Sequence, residues 1–118
     1  VNRLTPEIVS DAFARTGMEP LQLSYFSLPA EGQRRQCCGL YAVAVSREPV
    51  SPHSGLMFLN RLSELAGVSI DYARAFAWGW DCEAPDSSRR WSREERQGFE
   101  DGRAAWLAVG EGKEARRA

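Results

Sequence analysis

Nine consecutive residues, Cys37-Cys38-Gly39-Leu40-Tyr41-Ala42-Val43-Ala44-Val45, carry no charge and are apolar on every side. Such a run has to be covered all round, so the remainder of the chain must pack about it. At this length periodicity does not separate a buried strand from a buried helix. A strand would complete a hairpin with residues 21–28, where Leu21-Gln22-Leu23-Ser24-Tyr25 alternates apolar and polar. A helix would use the small residues Cys38, Gly39, Ala42 and Ala44 for close packing. We read a helix over about 37–46, with a short strand or hairpin within 21–45 as the α+β alternative.

The rest of the chain is punctuated for helices. Thr5 is a good N-cap, Pro6 fits the first helical position, and Gly17 with Pro20 ends a helix over about 5–16. From about Ser54 to Ala66, Phe58, Leu59, Leu62 and Leu65 share one side, and Gly67 followed by Val68 supplies the cap. Ser69 then caps a helix over 69–81, with Asp71 in its first turn and Tyr72, Phe76, Gly79 and Trp80 along one stripe. Ser92-Arg93-Glu94-Glu95 is a capping box for a helix over 92–109, whose inward face is read as Phe99, Gly102 and Trp106. The expected fold is mainly α, a bundle of four to five helices. It occupies one domain over 1–109, with a frayed tail over 110–118.

At 118 residues one core is expected, burying roughly two-thirds of the surface of the unfolded chain. Fifteen basic and 16 acidic residues leave a formal charge of -1, which draws the whole protein toward neither nucleic acid nor an anionic membrane. Fourteen of the basic residues are arginine, a residue suited to planar and stacked contacts, although a GC-rich coding bias gives the same skew. The apolar runs fall short of the ~20 residues that span a bilayer, and Val1 to Pro6 lacks a secretory core. Three cysteines, two of them adjacent, suit a reducing compartment, so a cytoplasmic protein is expected.

Catalytic chemistry is hard to assemble from these residues. Cys37, Cys38, His53 and Cys82 hold metal-binding atoms without the spacing of paired ligands, so no metal and no cofactor is expected. A cysteine nucleophile would need His53, the only histidine, and nothing in the sequence brings it near. Cys37 or Cys38 would gain thiolate character at a helix start, whereas Cys82 lies at the unfavourable end of the helix dipole. The carboxylates Asp71, Asp81, Glu83, Asp86, Glu94, Glu95, Glu100 and Asp101 interleave with arginines, as on a solvated mixed-charge surface. Phosphate-cradling, nucleophile-elbow and zinc-protease motifs are absent, and no enzyme is expected.

Aromatic residues are the distinctive feature. Trp78 and Trp80 cannot share a helix face, being roughly 200° apart. Trp80 belongs to the inner stripe, so Trp78 points elsewhere, either covered by the 21–45 segment or exposed. Trp91 follows Arg89 and Arg90 in a loop. Exposed tryptophan beside arginine is the chemistry of a binding hot spot, set against the plainer reading that all four tryptophans complete a small core. Phe76-Ala77-Trp78-Gly79 and Phe99-Glu100-Asp101-Gly102 both place glycine three residues after phenylalanine. Two helices crossing closely at those glycines, each ring covering the gap, is the expected explanation.

Thr5-Pro6-Glu7-Ile8 through Thr16-Gly17, Cys37-Cys38-Gly39-Leu40, Gly79-Trp80-Asp81 and Phe99-Glu100-Asp101-Gly102-Arg103-Ala104-Ala105-Trp106 together resemble a group of small uncharacterised bacterial proteins. The resemblance implies a compact, largely helical unit whose Cys-Cys segment begins a helix, and it carries over no catalytic residue. The leading expectation is a protein–protein interaction module that binds another protein, or a second copy of itself, through Trp78, Arg89, Arg90, Trp91 and Arg93. A small phage-type inhibitor of host nucleic-acid or defence machinery is the alternative. A small-ligand protein or enzyme with a pocket between Cys37-Cys38 and the Trp78 helix, using His53, is the second. Direct nucleic-acid binding comes last, since any basic patch would be local to Arg89–Arg96.

Overall fold

The computed structural model describes residues 2–27, 32, 35–49, 56–83 and 90–111. Five helices make up most of them: α1 Pro6–Thr16, α2 Gly39–Arg47, α3 Leu56–Ala66, α4 Ile70–Trp80 and α5 Arg93–Ala105. The last continues as a wider π-helical turn over Trp106–Glu111. Three two-residue strands, β1 Glu19–Pro20, β2 Phe26–Ser27 and β3 Gln36–Cys37, form a small sheet in the order β1-β3-β2. β3 pairs in parallel with β1 and antiparallel with β2. The architecture is mainly α with a small strand element. Among the described residues no helix is long and apolar enough to cross a membrane.

The apolar run is a helix from Gly39 onward. Cys37 ends β3, and Cys38 is the N-cap of α2, its thiol accepting the Tyr41 N–H at 3.4 Å. Gly39 through Ala44 are all buried because α1, α3 and α4 each pack against this helix. A helix apolar all round requires that position.

The alternation at residues 21–25 does not make a strand. Its polar groups are claimed by the end of α4. The Trp80 indole N–H donates to the Leu21 carbonyl at 2.6 Å, and Gln22 Nε2 donates to the Trp80 carbonyl at 2.9 Å. The Leu23 N–H donates to Asp81 Oδ1 at 2.7 Å. Leu23 takes a left-handed φ of 66° to do so, which no strand tolerates. Ladder pairing survives only on either side, in β1 and β2.

Helix ends follow the sequence closely. Thr5 and Ser69 cap α1 and α4, and Ser92 with Glu95 makes both bonds of the capping box on α5. Gly67 ends α3 at φ 75°, with Gly67 N–H on Glu64 and Val68 N–H on Ser63, both at 3.1 Å. α4 ends in the same double-bonded way without a glycine. Cys82 N–H donates to Gly79, Glu83 N–H donates to Trp78, and Cys82 itself holds the left-handed φ of 56°.

Trp80 is the hub of the core. It is fully buried, stacks on Phe13 at 5.8 Å and meets Trp106 edge-on at 5.2 Å. Behind it α4 and α5 run side by side in the same direction, Tyr72 opposite Gly98 and Phe76 opposite Gly102. The repeated Phe-x-x-Gly explains the closeness. The Phe76 carbonyl lies over Gly102 and the Phe99 carbonyl lies over Gly79, so each helix presses backbone into the other's bare position.

Three expectations change here. Asp101, read as part of a solvated surface, is 4% exposed. Arg3 reaches it through two hydrogen bonds of 2.8 and 3.1 Å, Gln97 donates at 3.0 Å, and the Tyr72 hydroxyl donates while accepting the Leu4 N–H. Burial alone would raise the Asp101 carboxyl, but these donors outweigh it and hold it below the usual carboxylate range. Glu95 is buried as well, because its side chain serves the cap. Gly110, placed in the frayed tail by sequence, is buried against the Trp106 ring.

Candidate functional site

The C-terminal turn of α4 and the 23–25 segment face one another across an open cleft of about 390 Å³. Arg74, Ala77, Trp78, Asp81 and Glu83 form one wall, Leu23, Ser24 and Tyr25 the other, and Cys38 lies at the base. The fold places these residues for stated reasons. Trp80 must turn inward to reach Phe13, so Trp78 is swung to the opposite side of α4 and into the cleft. The cap at Cys82 bonds the Glu83 backbone N–H back to the Trp78 carbonyl, which holds Glu83 on the same wall as Trp78. The Leu23–Asp81 bond then fixes the distance between the walls.

Leu23 projects from its strained backbone with 71% of its surface exposed, the most exposed large apolar residue described. Tyr25 is half-buried and packs edge-on against Phe58 at 5.6 Å. Non-glycine residues in the left-handed region cost about 1–2 kcal/mol each, and they gather where the surrounding structure uses them. Among the described residues only Leu23 and Cys82 are of this kind, and Leu23 lines the cleft while Cys82 adjoins two of its residues.

Charge in the cleft is divided. Arg74 is partly exposed and lies 3.7 Å from Asp71. Asp81 is half-buried, and burial followed by the nearby Glu83 pushes its carboxyl upward against the lowering effect of the Leu23 N–H. Among the described residues neither Asp81 nor Glu83 forms an ion pair.

The expected thiolate at a helix start is not what the geometry makes. Cys38 sits at that position, yet burial pushes its thiol up to about 12, and the N–H bonds from the cap do not restore it. Burial raises Cys37 further. Both are packing groups rather than nucleophiles at neutral pH. His53, the base proposed for them, and Arg89 of the binding set lie outside the described residues. Among those described, no three His, Cys, Asp or Glu side chains gather as metal ligands.

The remaining binding residues are placed as follows. Trp78 and Trp91 meet edge-to-face at 6.0 Å, and Trp91 meets Phe99 in the same manner at 5.2 Å. All three are half-buried, neither core nor fully exposed, because each covers the next along the outside of α4 and α5. Arg90 and Arg93 are exposed on the same chain segment as Trp91. Sequence reasoning missed Leu23, Tyr25 and Arg74 as cleft residues. A leucine in the left-handed region carries no local signal, and the 21–25 alternation pointed to a strand.

Comparison of the chain with protein-family models, with curated proteins and with solved structures finds no match.

Proposed function

We propose that this chain is a protein–protein interaction module, docking through the face that carries Trp78, Trp91, Arg90 and Arg93, with the cleft beside Trp78 as its anchor pocket. One observation carries the reading: Trp78 is at once the end of an aromatic ladder and a wall of an open cleft. Half-buried aromatics with an arginine rim have the composition of interface centres, where a few well-packed residues supply most of the binding energy. The exposed Leu23, held in place at a cost in backbone strain, extends the apolar part of that face. An inhibitor of host machinery would use the same face and differ only in its partner. A small-ligand protein would keep the cleft, but without a reactive cysteine in it. Two buried thiols and one exposed one suit a reducing, cytoplasmic setting.

The test is affinity capture from native lysate by the full chain, in parallel with Leu23→Ser and Arg93→Glu, alongside light scattering for self-association. Both positions are exposed, so both variants fold. A specific protein, or a second copy, bound by the parent and lost from both variants supports the reading. A partner held equally by all three, or none bound by a folded monomer, refutes it.

A further inference from the structure

We infer that the cleft beside Trp78 receives the guanidinium of an arginine presented by the partner protein, stacked on the Trp78 indole and paired with Asp81 and Glu83. This deepens the docking reading and rests on it. The cleft supplies two aromatic walls, Trp78 and Tyr25, and two carboxylates at one end that no described cation neutralises. A cation over an aromatic face is attracted by the ring's electron density, and more strongly once both are drawn out of water. Arginine suits the geometry better than lysine, because its planar head stacks on indole while its fork reaches a carboxylate through two bonds. Leu23, at the lip of the opposite wall, is placed to cover the aliphatic stem.

Among the described residues of the lining, the one cation, Arg74, does not occupy this position. Arg74 lies seven residues before Asp81 on α4, about 10 Å along the helix axis, and is held near Asp71. A guanidinium at the acidic end therefore clears Arg74, which remains able to meet a carbonyl or carboxylate further along the bound segment. The half-buried Asp81 is poorly compensated, its carboxyl raised by burial and by Glu83, and an incoming cation relieves both.

The test is an amide-shift titration of the ¹⁵N-labelled full chain with an acetylated, amidated Gly-Ser-Arg-Ser-Gly peptide, raised into the millimolar range. The same peptide carrying citrulline serves as the neutral isostere. The arginine peptide should shift Leu23, Trp78 and Asp81 signals, including the Trp78 indole N–H, and the citrulline peptide should not. Asp81→Asn, which keeps an acceptor for the Leu23 N–H, and Glu83→Gln should each weaken binding by roughly 3- to 10-fold. Equal shifts from citrulline, shifts centred elsewhere, or no shifts overturn the inference. A captured partner that is lost with Leu23→Ser but survives both carboxamide variants overturns it too, while leaving the docking reading standing. A partner that survives all of these variants removes both.

Discussion

Replacing Gly102 with alanine puts helix propensity and helix packing in direct opposition. A Cβ on Gly102 would stand 2.9 Å from both the Phe76 carbonyl carbon and the Trp80 nitrogen, and nearer still to the Phe76 carbonyl oxygen. Carbon rests at about 3.3–3.6 Å from a carbonyl oxygen, so α4 and α5 would have to part by roughly 1 Å. Nothing nearby can give, because the obstruction is backbone rather than the end of a flexible side chain. Overpacking a core typically costs 1–3 kcal/mol, and here the parting also loosens Tyr72, Phe76 and Trp80, all fully buried. Against this, alanine in place of glycine gains about 1 kcal/mol in an unconstrained helix. With backbone against backbone the cost falls at the upper end of the overpacking range, and the net expectation is a loss of about 2 kcal/mol, roughly 8 °C in Tm for a chain of this size. Gly79→Ala should cost a similar amount, since its Cβ would lie 2.8 Å from the Phe99 carbonyl carbon. The double variant should cost less than the sum, because one parting of the helices clears both contacts. Thermal and urea denaturation followed by circular dichroism measure all three. Single variants as stable as the parent, or more so, would show that the glycines do not set the helix spacing and would refute this reasoning.

Four further outcomes follow from particular contacts. Cys82→Gly should stabilise the protein by about 0.5–1 kcal/mol in urea denaturation, since glycine takes the left-handed cap without the side-chain penalty. Leu23→Asn should raise stability by a similar amount for the same reason while abolishing partner capture, a split that a merely structural loop would not give. Asp101→Asn should cost about 2–3 kcal/mol, because the buried carboxylate accepts from Arg3, Tyr72 and Gln97. The Asp101 carboxyl is lowered in the folded state, so its contribution is complete above its unfolded value near 3.9 and is lost as pH falls through the folded one. Acid denaturation of the parent should therefore be steeper below pH 4 than that of the variant. A thiol-titrating disulfide reagent at neutral pH should find one fast-reacting cysteine, Cys82, with Cys37 and Cys38 reacting only on unfolding.

The helices were legible because their ends are written in local chemistry. Thr5-Pro6, Gly67-Val68, Ser69 and the Ser92–Glu95 box each act within one turn, and each does in the fold what its spacing announces. The Phe-x-x-Gly echo was legible for a different reason: bare backbone beside a ring on two helices has few uses besides close crossing. The inward face of the last helix was legible only in part. Gly102 and Trp106 are buried as read, but Phe99 lies outside against Trp91. The face is completed by Glu95, Gly98, Asp101 and Ala105, a set that reads as solvated and whose burial depends on partners as distant as Arg3. The cleft was legible in outline, as a pocket between Cys38 and the Trp78 helix, but its wall of Leu23, Ser24 and Tyr25 stayed hidden for a related reason. The alternation of residues 21–25 is a genuine strand pattern, and only the three hydrogen bonds from the end of α4 divert it. Those bonds join residues nearly sixty positions apart, and no local pattern encodes them. Of the proposed binding residues, sequence placed Trp78 off the core stripe correctly but gave no sign that Trp91 would lean on it.

Photo-crosslinking in the native cell tests the docking claim most directly. A benzophenone amino acid at position 23 sits on the lip of the cleft, and the same residue at the exposed position 11 of α1 serves as comparison. The account predicts one discrete adduct from position 23, to another protein or to a second copy, absent from position 11 and lost when Trp78→Ala is added to a protein that remains folded. An even smear of adducts from both positions, or an adduct indifferent to Trp78, would contradict it.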